Sequence, residues 1–334
     1  MTPPSPLSPL VGADRERPHE PSRLLVAGDL HADESWFENL VSYARAQRCQ
    51  AILQLGDLGY WPRLRHYHDF LRSLPRQLEG ADLDLYFVEG NHEDLDALFD
   101  TDFPQVGPFR KIEERVYHLP RGAHWSWQGL RFVSVGGGYS LDKELRMPGY
   151  DWFERETLSE GELHAILEER GEIDVLVSHD CPARVALELG LLPIAASLSH
   201  RRALATIVER MRPALCLHGH LHRTHRTLWE DEESGVRCLV IGLADESQRS
   251  ANVRVFELAE LAGARRADPG RRGMPHERRL PHGAEAVAVV QIPLRGQSDH
   301  EGATQSALEA SVEAQSEPGA GLARIEARKQ KGKG

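Results

Sequence analysis

Five short apolar runs in this chain each stop abruptly at a block of glycine, aspartate, asparagine and histidine. Leu24 to Ala27 ends in Gly28-Asp29-Leu30-His31, and Ala51 to Leu55 ends in Gly56-Asp57. Leu83 to Val88 leads into Gly90-Asn91-His92-Glu93, Ile173 to Val177 into Ser178-His179, and Ala214 to Leu217 into His218-Gly219-His220-Leu221-His222. Apolar runs of this length bounded by turn residues read as buried strands. Polar residues at the carboxyl ends of strands are where open α/β sheets keep their chemistry.

The segments between these runs fit a βαβαβ start. Asp33 is placed to cap a helix whose apolar residues Trp36, Phe37, Leu40, Val41 and Ala44 follow helical spacing. After Pro62, residues Leu64, Tyr67, Phe70, Leu71 and Leu74 predict a second amphipathic helix. Val116 to Leu119, Ala123 to Trp127 and Leu130 to Val135 make a strand-rich middle, with Gln128-Gly129 as a hairpin turn. Ser159 and Glu162 form a capping box for a helix reaching about Arg170, and another helix is expected near Ser199 to Met211. Arg237 to Leu243 and Asn252 to Leu258 read as closing strands paired in an antiparallel hairpin. Residues 1–22, rich in proline and then charge, and residues 261–334, rich in Arg, Gly, Pro, Glu, Gln and Ser, are expected to lack a packed core. The folded domain is therefore expected to span 23–260.

Charge and cysteine content narrow the functions. A net charge of -11 argues against general binding to nucleic acid backbones or acidic membranes, which reward a basic face. The four cysteines, Cys49, Cys181, Cys216 and Cys238, form no CxxC pair and read as reduced and mostly buried. No signal peptide or membrane-length apolar run is evident, so a cytoplasmic protein is expected.

Carboxylate, imidazole and amide oxygen are the ligand set of Mn²⁺, Fe or Zn²⁺, whereas Mg²⁺ and Ca²⁺ prefer nearly pure oxygen shells. The strand ends offer Asp29, His31, Asp57, Asn91, His179, His220 and His222, too many for one ion. Two ions roughly 3.5–4 Å apart, bridged by one carboxylate, would accommodate them. Asp57 is the proposed bridge. His218, together with His66, His68, His118 and His124, is assigned to the structure or the surface rather than to the site.

The ordered blocks Asp29-Leu30-His31, Gly56-Asp57, Gly90-Asn91-His92-Glu93, Ser178-His179 and Gly219-His220-Leu221-His222 resemble those of the calcineurin-like metallophosphoesterases. The resemblance covers about Arg23 to Leu258. It implies an α/β fold of two mixed sheets flanked by helices, with all five motif loops along one edge. It also implies that Asp29, His31, Asp57 and His222 hold one metal and that Asp57, Asn91, His179 and His220 hold the other. Mn²⁺ is favoured, with Fe or Zn²⁺ as alternatives. By the same resemblance a water bridging the ions attacks a phosphomonoester or phosphodiester, and His92 protonates the leaving oxygen.

Two departures narrow the family. Tyr60, followed by Trp61-Pro62, stands where the protein Ser/Thr phosphatases usually carry an aspartate, and Ala32 follows His31 where they usually carry glycine. The partner that orients His92 is thereby left open. The run Gly136-Gly137-Gly138-Tyr139-Ser140 with Asp142, Lys143 and Arg146 resembles a loop of bacterial and phage members, and Lys143 and Arg146 are the candidates for touching substrate phosphate. The expected substrate is a phosphorylated small molecule or a nucleotide. A nuclease or end-processing phosphatase ranks below it because the acidic balance offers no backbone-tracking groove. A non-catalytic metal-binding scaffold is the other alternative.

Overall fold

The computed structural model describes residues 20–169, 171–185 and 195–267. Most of the two terminal segments expected to lack structure therefore lie outside the described residues. Strand β1 (Arg23–Ala27), helix α1 (Glu34–Ala46), β2 (Ala51–Gln54), α2 (Arg65–Ala81) and β3 (Asp84–Phe87) form the expected βαβαβ unit, with β1, β2 and β3 as parallel neighbours. The Asp33 carboxylate accepts the Trp36 N–H at 2.9 Å, and α1 buries Trp36, Phe37, Leu40, Val41 and Ala44. The helix thus starts and faces inward as its sequence dictates.

Next come α3 (Leu95–Asp100), β4 (Gln105–Val106), β5 (Phe109–Glu113), β6 (Val116–His118), β7 (His124–Trp127) and β8 (Leu130–Val135). The turn between β7 and β8 has φ of 50° at Gln128 and 74° at Gly129, the double left-handed conformation that matches strand twist. Helix α4 (Glu160–Glu168) carries the Ser159/Glu162 capping box. Then follow β9 (Val175–Ser178), α5 (Ala195–Met211), β10 (Leu215–His218), β11 (His225–Asp231), β12 (Val236–Gly242), β13 (Val253–Glu257) and α6 (Leu258–Ala267). Helix α6 crosses the domain boundary expected at 260.

Among the described residues the strands make two mixed sheets, in the orders β13-β1-β2-β3-β6-β5-β4 and β11-β12-β10-β9-β8-β7. Alternate residues of the central strands fill the space between the sheets: Leu24 and Val26, Leu53 and Leu55, Val175 and Val177, Leu215 and Leu217, Leu239 and Ile241. The other face of the second sheet gives Val133, Leu176, Cys216 and Val240 to a cluster with Leu204, Ile207, Val208 and Met211 of α5. Sheets covered on both faces read as nearly continuous apolar runs, which is why the five runs are apolar throughout.

The expected closing hairpin is not formed. Strand β12 pairs antiparallel with β11 and parallel with β10, while β13 crosses to the other sheet and lies antiparallel to β1. The crossover is held by Asn252, whose Nδ2 donates to the carbonyls of Ala244 (2.7 Å) and Asp29 (3.0 Å) and whose Oδ1 accepts from Trp36 Nε1 (2.8 Å). Strand β11 escaped the sequence reading because, as an edge strand, it leaves its outer face to polar residues. The short pair β4 and β5 turns at Gly107 and escaped for the same reason.

A buried ionic network fixes the end of β3 against the rest of the fold. The Glu89 carboxylate accepts from Arg121 Nε at 2.6 Å and pairs with His118 Nε2 at 2.8 Å, all three side chains being buried. Burial alone would raise Glu89, but Arg121 and His118 hold it at about 2, against an ordinary 4.5. This stabilisation is fully present above pH 4.5 and is lost as pH falls towards 2. Arg121→Leu, which leaves Glu89 without its cation, is expected to lower the free energy of urea unfolding at pH 7 by about 3–5 kcal/mol. A loss below about 1 kcal/mol, the scale of an exposed pair, would show that the network is not what ties β3 in place.

Candidate metal centre

All five polar blocks follow the carboxyl ends of parallel strands: β1, β2 and β3 in one sheet, β9 and β10 in the other. They meet at the common edge of the two sheets. One ligand atom each from Asp29, His31, Asp57 and His222 lie within 4.8 Å of one another, and the same holds for Asp57, His179 and His220. Asp57 belongs to both groups. Asn91 joins the second, its Oδ1 lying 3.0 Å from His179 Nε2.

The two aspartates are arranged alike. Asp57 Oδ1 accepts the His92 N–H at 2.7 Å, and Asp29 Oδ1 accepts the His220 N–H at 3.0 Å. Their Oδ2 atoms are buried and carry no aligned hydrogen-bond donor. Imidazole nitrogens surround them instead: His222 Nε2 is 3.0 Å from Asp29 Oδ2, and His31 Nε2 and His179 Nε2 are 3.4 and 3.5 Å from Asp57 Oδ2. A buried carboxylate oxygen without a donor is costly, and a cation at its face removes the cost. The residues present therefore fit the divalent ions that the donor set calls for.

The imidazoles are aimed by their far nitrogens. His31 Nδ1 lies 2.9 Å from Glu246 Oε2, His222 Nδ1 lies 2.9 Å from Asp245 Oδ2, and His179 Nδ1 lies 2.7 Å from the Leu55 carbonyl. Each contact assigns the Nδ1 proton outwards and leaves Nε2 facing the centre, as ligating histidines require. Burial alone would lower His31 and His179, but Asp57 and the other acids raise them to about 11 and about 10. The field that draws protons to these rings draws metal cations equally.

The loops bear strain to reach this arrangement. His31, Ala32, Asp57, His220 and His222 have φ of 44°, 59°, 57°, 62° and 50°, a region that side chains disfavour. Ala32 adopts it without the glycine usual at its position. Glycine is required beside the aspartates for a different reason: a Cβ on Gly90 would lie 2.0 Å from Asp57 Oδ1, and one on Gly219 2.2 Å from Asp29 Oδ1.

Glu93 is buried and accepts from the N–H groups of Gly90 (2.6 Å) and Gly59 (3.2 Å), clamping the loops after β2 and β3 together. Burial and the nearby Asp57 push its carboxyl up to about 8. The cap of α3 is Asp94. Asp180, next to His179 in the chain, is buried and accepts the Cys181 N–H at 2.6 Å.

His92 stands at the rim. Its carbonyl accepts from Trp61 Nε1 at 2.7 Å, and Arg146 Nη2 lies 2.7 Å from its Nε2 and 3.1 Å from its Nδ1. Arg146 is itself held by Asp142 Oδ2 at 2.9 Å. Burial and Arg146 lower His92 against the pull of Asp57. A cavity of about 360 Å³ opens here, lined by His31, His92 and Arg146 together with Trp61, Leu64 and Tyr67. Lys143 is not brought to it; its ammonium sits 4.3 Å from the ring centre of Trp152. Sequence reasoning missed Asp245 and Glu246, and it missed the roles of Glu93 and Ser140, which its motifs contain but whose partners Gly59 and Asn91 lie far away in sequence.

A family model described as calcineurin-like phosphoesterase matches residues 22–224. Among solved structures, a Thermus thermophilus protein is 17% identical over 71% of this chain and 99% of its own, with a TM-score of 0.40. A dimetal phosphatase from Danio rerio is 15% identical over 70% of this chain and 91% of its own, with a TM-score of 0.45. A metallophosphoesterase from Sphaerobacter thermophilus is 19% identical, with coverages of 71% and 84% and a TM-score of 0.30. No curated protein matches the chain.

Asn91 is oriented through its amide nitrogen. Its Nδ2 donates to Ser140 Oγ at 3.0 Å, and Ser140 in turn donates to Glu156 Oε2 at 2.6 Å, so the Asn91 oxygen faces inwards. Ser140→Ala is expected to weaken metal uptake at the donor group that Asn91 joins by about 10–100-fold. Calorimetric titration with Mn²⁺ measures it, and unaltered binding would dismiss the role of Ser140.

Proposed function

The chain belongs to the calcineurin-like phosphoesterase family, and from that premise we propose that it is a dinuclear metal-dependent phosphoesterase acting on a phosphorylated small molecule or a nucleotide. The observation that carries this reading is that Asp57 stands in both donor groups, with a buried carboxylate oxygen that no hydrogen-bond donor satisfies. Asp29, His31, Asp57 and His222 would hold one ion, and Asp57, Asn91, His179 and His220 the other. Mn²⁺ is the favoured metal, Fe and Zn²⁺ also suiting a mixed nitrogen and oxygen set. Bound there, divalent ions supply Lewis acidity to a phosphoryl group and make water a better nucleophile at neutral pH.

The chain's own residues do the rest. The His92 main chain is fixed at both ends, by Asp57 Oδ1 and by Trp61 Nε1, so its ring is held over the cavity mouth. In its protonated form it gives a proton to the leaving oxygen, which then departs as an alcohol. Arg146, 2.7 Å away, makes that imidazolium a stronger acid and presents a guanidinium to phosphate oxygens. Trp61, Leu64 and Tyr67 offer an apolar and aromatic wall for the organic part of a substrate. This supports a small phosphoester over a polynucleotide.

The test uses the purified full-length chain with Mn²⁺, bis-(p-nitrophenyl) phosphate and p-nitrophenyl phosphate. The wild type is expected to hold about two equivalents of metal and to hydrolyse at least one of the esters. Asp57→Asn should deplete both equivalents and abolish turnover, whereas His179→Ala and His222→Ala should each deplete one. Two bound ions with no hydrolysis by any metal form would replace the enzyme by a scaffold.

His92 is tested separately, on an ester with a poor leaving group. His92→Asn is expected to keep its metal and to lose about 10²–10⁴ in kcat. Unchanged kcat at unchanged metal content would end its role as proton donor.

A further inference from the structure

A second kind of donor cluster lies behind the centre just described. Cys181 Sγ and one ring nitrogen each of His218 and His225 lie within 4.8 Å of one another. None of the three belongs to the oxygen and nitrogen set above, and among the described residues this donor cluster alone brings in sulfur. Cys181 and His218 are buried, and His225 is half-buried at the mouth of the cluster.

The fold builds this meeting through strand register. Gly242 of β12 lies opposite His218 of β10 on one side and His225 of β11 on the other. With no side chain between them, the two imidazoles meet across the glycine, Nε2 to Nε2 at 2.8 Å. A Cβ on Gly242 would lie 2.5 Å from His225 Cδ2, 2.6 Å from its Nε2 and 3.0 Å from His218 Cε1. Glycine inside a strand marks just such a close approach.

Both rings are also aimed. His218 Nδ1 lies 2.9 Å from the Gly219 carbonyl, which accepts only, so Nδ1 carries the proton and Nε2 presents a lone pair. His225 Nδ1 lies 3.1 Å from Thr227 Oγ1, a hydroxyl that donates or accepts. When His225 Nδ1 donates to it, the second Nε2 also presents a lone pair towards the same point. Cys181 Sγ donates to the Pro182 carbonyl at 3.5 Å, and the Arg201 guanidinium, held by the Cys181 carbonyl, lies beside the thiol. Burial pushes its thiol well above the ordinary range, so a bound metal would have to displace that proton.

We propose that Cys181, His218 and His225 form a third metal site, separate from the dinuclear centre and suited to zinc. Two imidazoles and a thiolate are a borderline-soft set that zinc takes in tetrahedral sites, and the half-exposed side at His225 leaves a fourth position open to water. The site's place gives it a purpose. Cys181 lies two residues beyond His179, His218 two before His220, and His225 three beyond His222. An ion held by these three would pin the loop after β9 and both ends of the β10–β11 loop from behind, and would be a structural metal rather than one that meets substrate.

Cobalt distinguishes this site from the dinuclear centre, because a thiolate ligand gives Co²⁺ an intense near-ultraviolet charge-transfer band that nitrogen and oxygen ligands do not. The full-length chain, stripped of metal and reloaded with Co²⁺, is expected to show that band. Asp57→Asn should retain it. Cys181→Ser and His225→Gln should lose it, each with one equivalent less of zinc in metal analysis of the zinc-loaded protein. His225→Gln changes a half-exposed position and keeps the test valid should the buried serine variant misfold. No charge-transfer band in the cobalt-loaded wild type, or a band and zinc content unchanged in His225→Gln, would overturn the proposal and leave the His218–His225 contact as a plain hydrogen bond.

Discussion

Asp57 ties the site together through more atoms than its carboxylate. Its main-chain carbonyl accepts the N–H groups of Leu30 and His31 at 3.0 and 2.8 Å, and its Oδ1 accepts that of His92. The loops after β1 and β3 are therefore both hung on the residue between them. Asp29 repeats the device across the gap between the sheets, accepting from His220. Each aspartate satisfies a neighbouring loop with one oxygen and leaves the other oxygen buried and bare. A pair of sheets whose edges are joined in this way needs positive charge at the join.

The strain and the second row of acids follow from that need. Left-handed backbone at His31, Asp57, His220 and His222 turns consecutive donors towards one point, at a cost of order 1–3 kcal/mol per residue. Asp245 and Glu246, on the turn between β12 and β13, then fix two of the rings. Packing elsewhere must offset these terms. The α1 stripe and the inter-sheet core do so, a fully buried Leu, Val or Phe being worth roughly 1.5–3 kcal/mol. The Glu89–Arg121–His118 network adds rigidity beside Gly90.

What was legible in the sequence was what depends on neighbours along the chain. The Asp33 cap, the apolar stripe of α1, the Gln128-Gly129 turn and the five strand-end blocks are all local signals, and each sits where its pattern put it. Strands β4, β5 and β11 were not legible, since they leave one side to water and lose their apolar signature. The misplaced hairpin has the same root: β12 and β13 are both good strands, and only Asn252, bound to Ala244, Asp29 and Trp36, sends them to different sheets. Glu93 reads only as the last residue of the third polar block until the fold shows it holding Gly59 and Gly90. His218 reads as structural until the register through Gly242 brings His225 against it.

The electrostatics of the site decide what can bind there. The chain carries a net charge of -11, and Asp29, Asp57, Asp180 and Asp245 are buried around the centre with Glu246 beside them. A phosphate dianion placed among these groups without counter-charge would meet repulsion of about 4 kcal/mol for each unit pair at 4 Å, at an effective dielectric constant of 20. Arg146 does not offset this alone, because Asp142 already neutralises it. Cations held by this donor set would reverse the local sign, next to His92 and the aromatic wall. Phosphoester binding would thereby be linked to metal occupancy, the acidic protein acquiring an anion site where its own ligands gather cations.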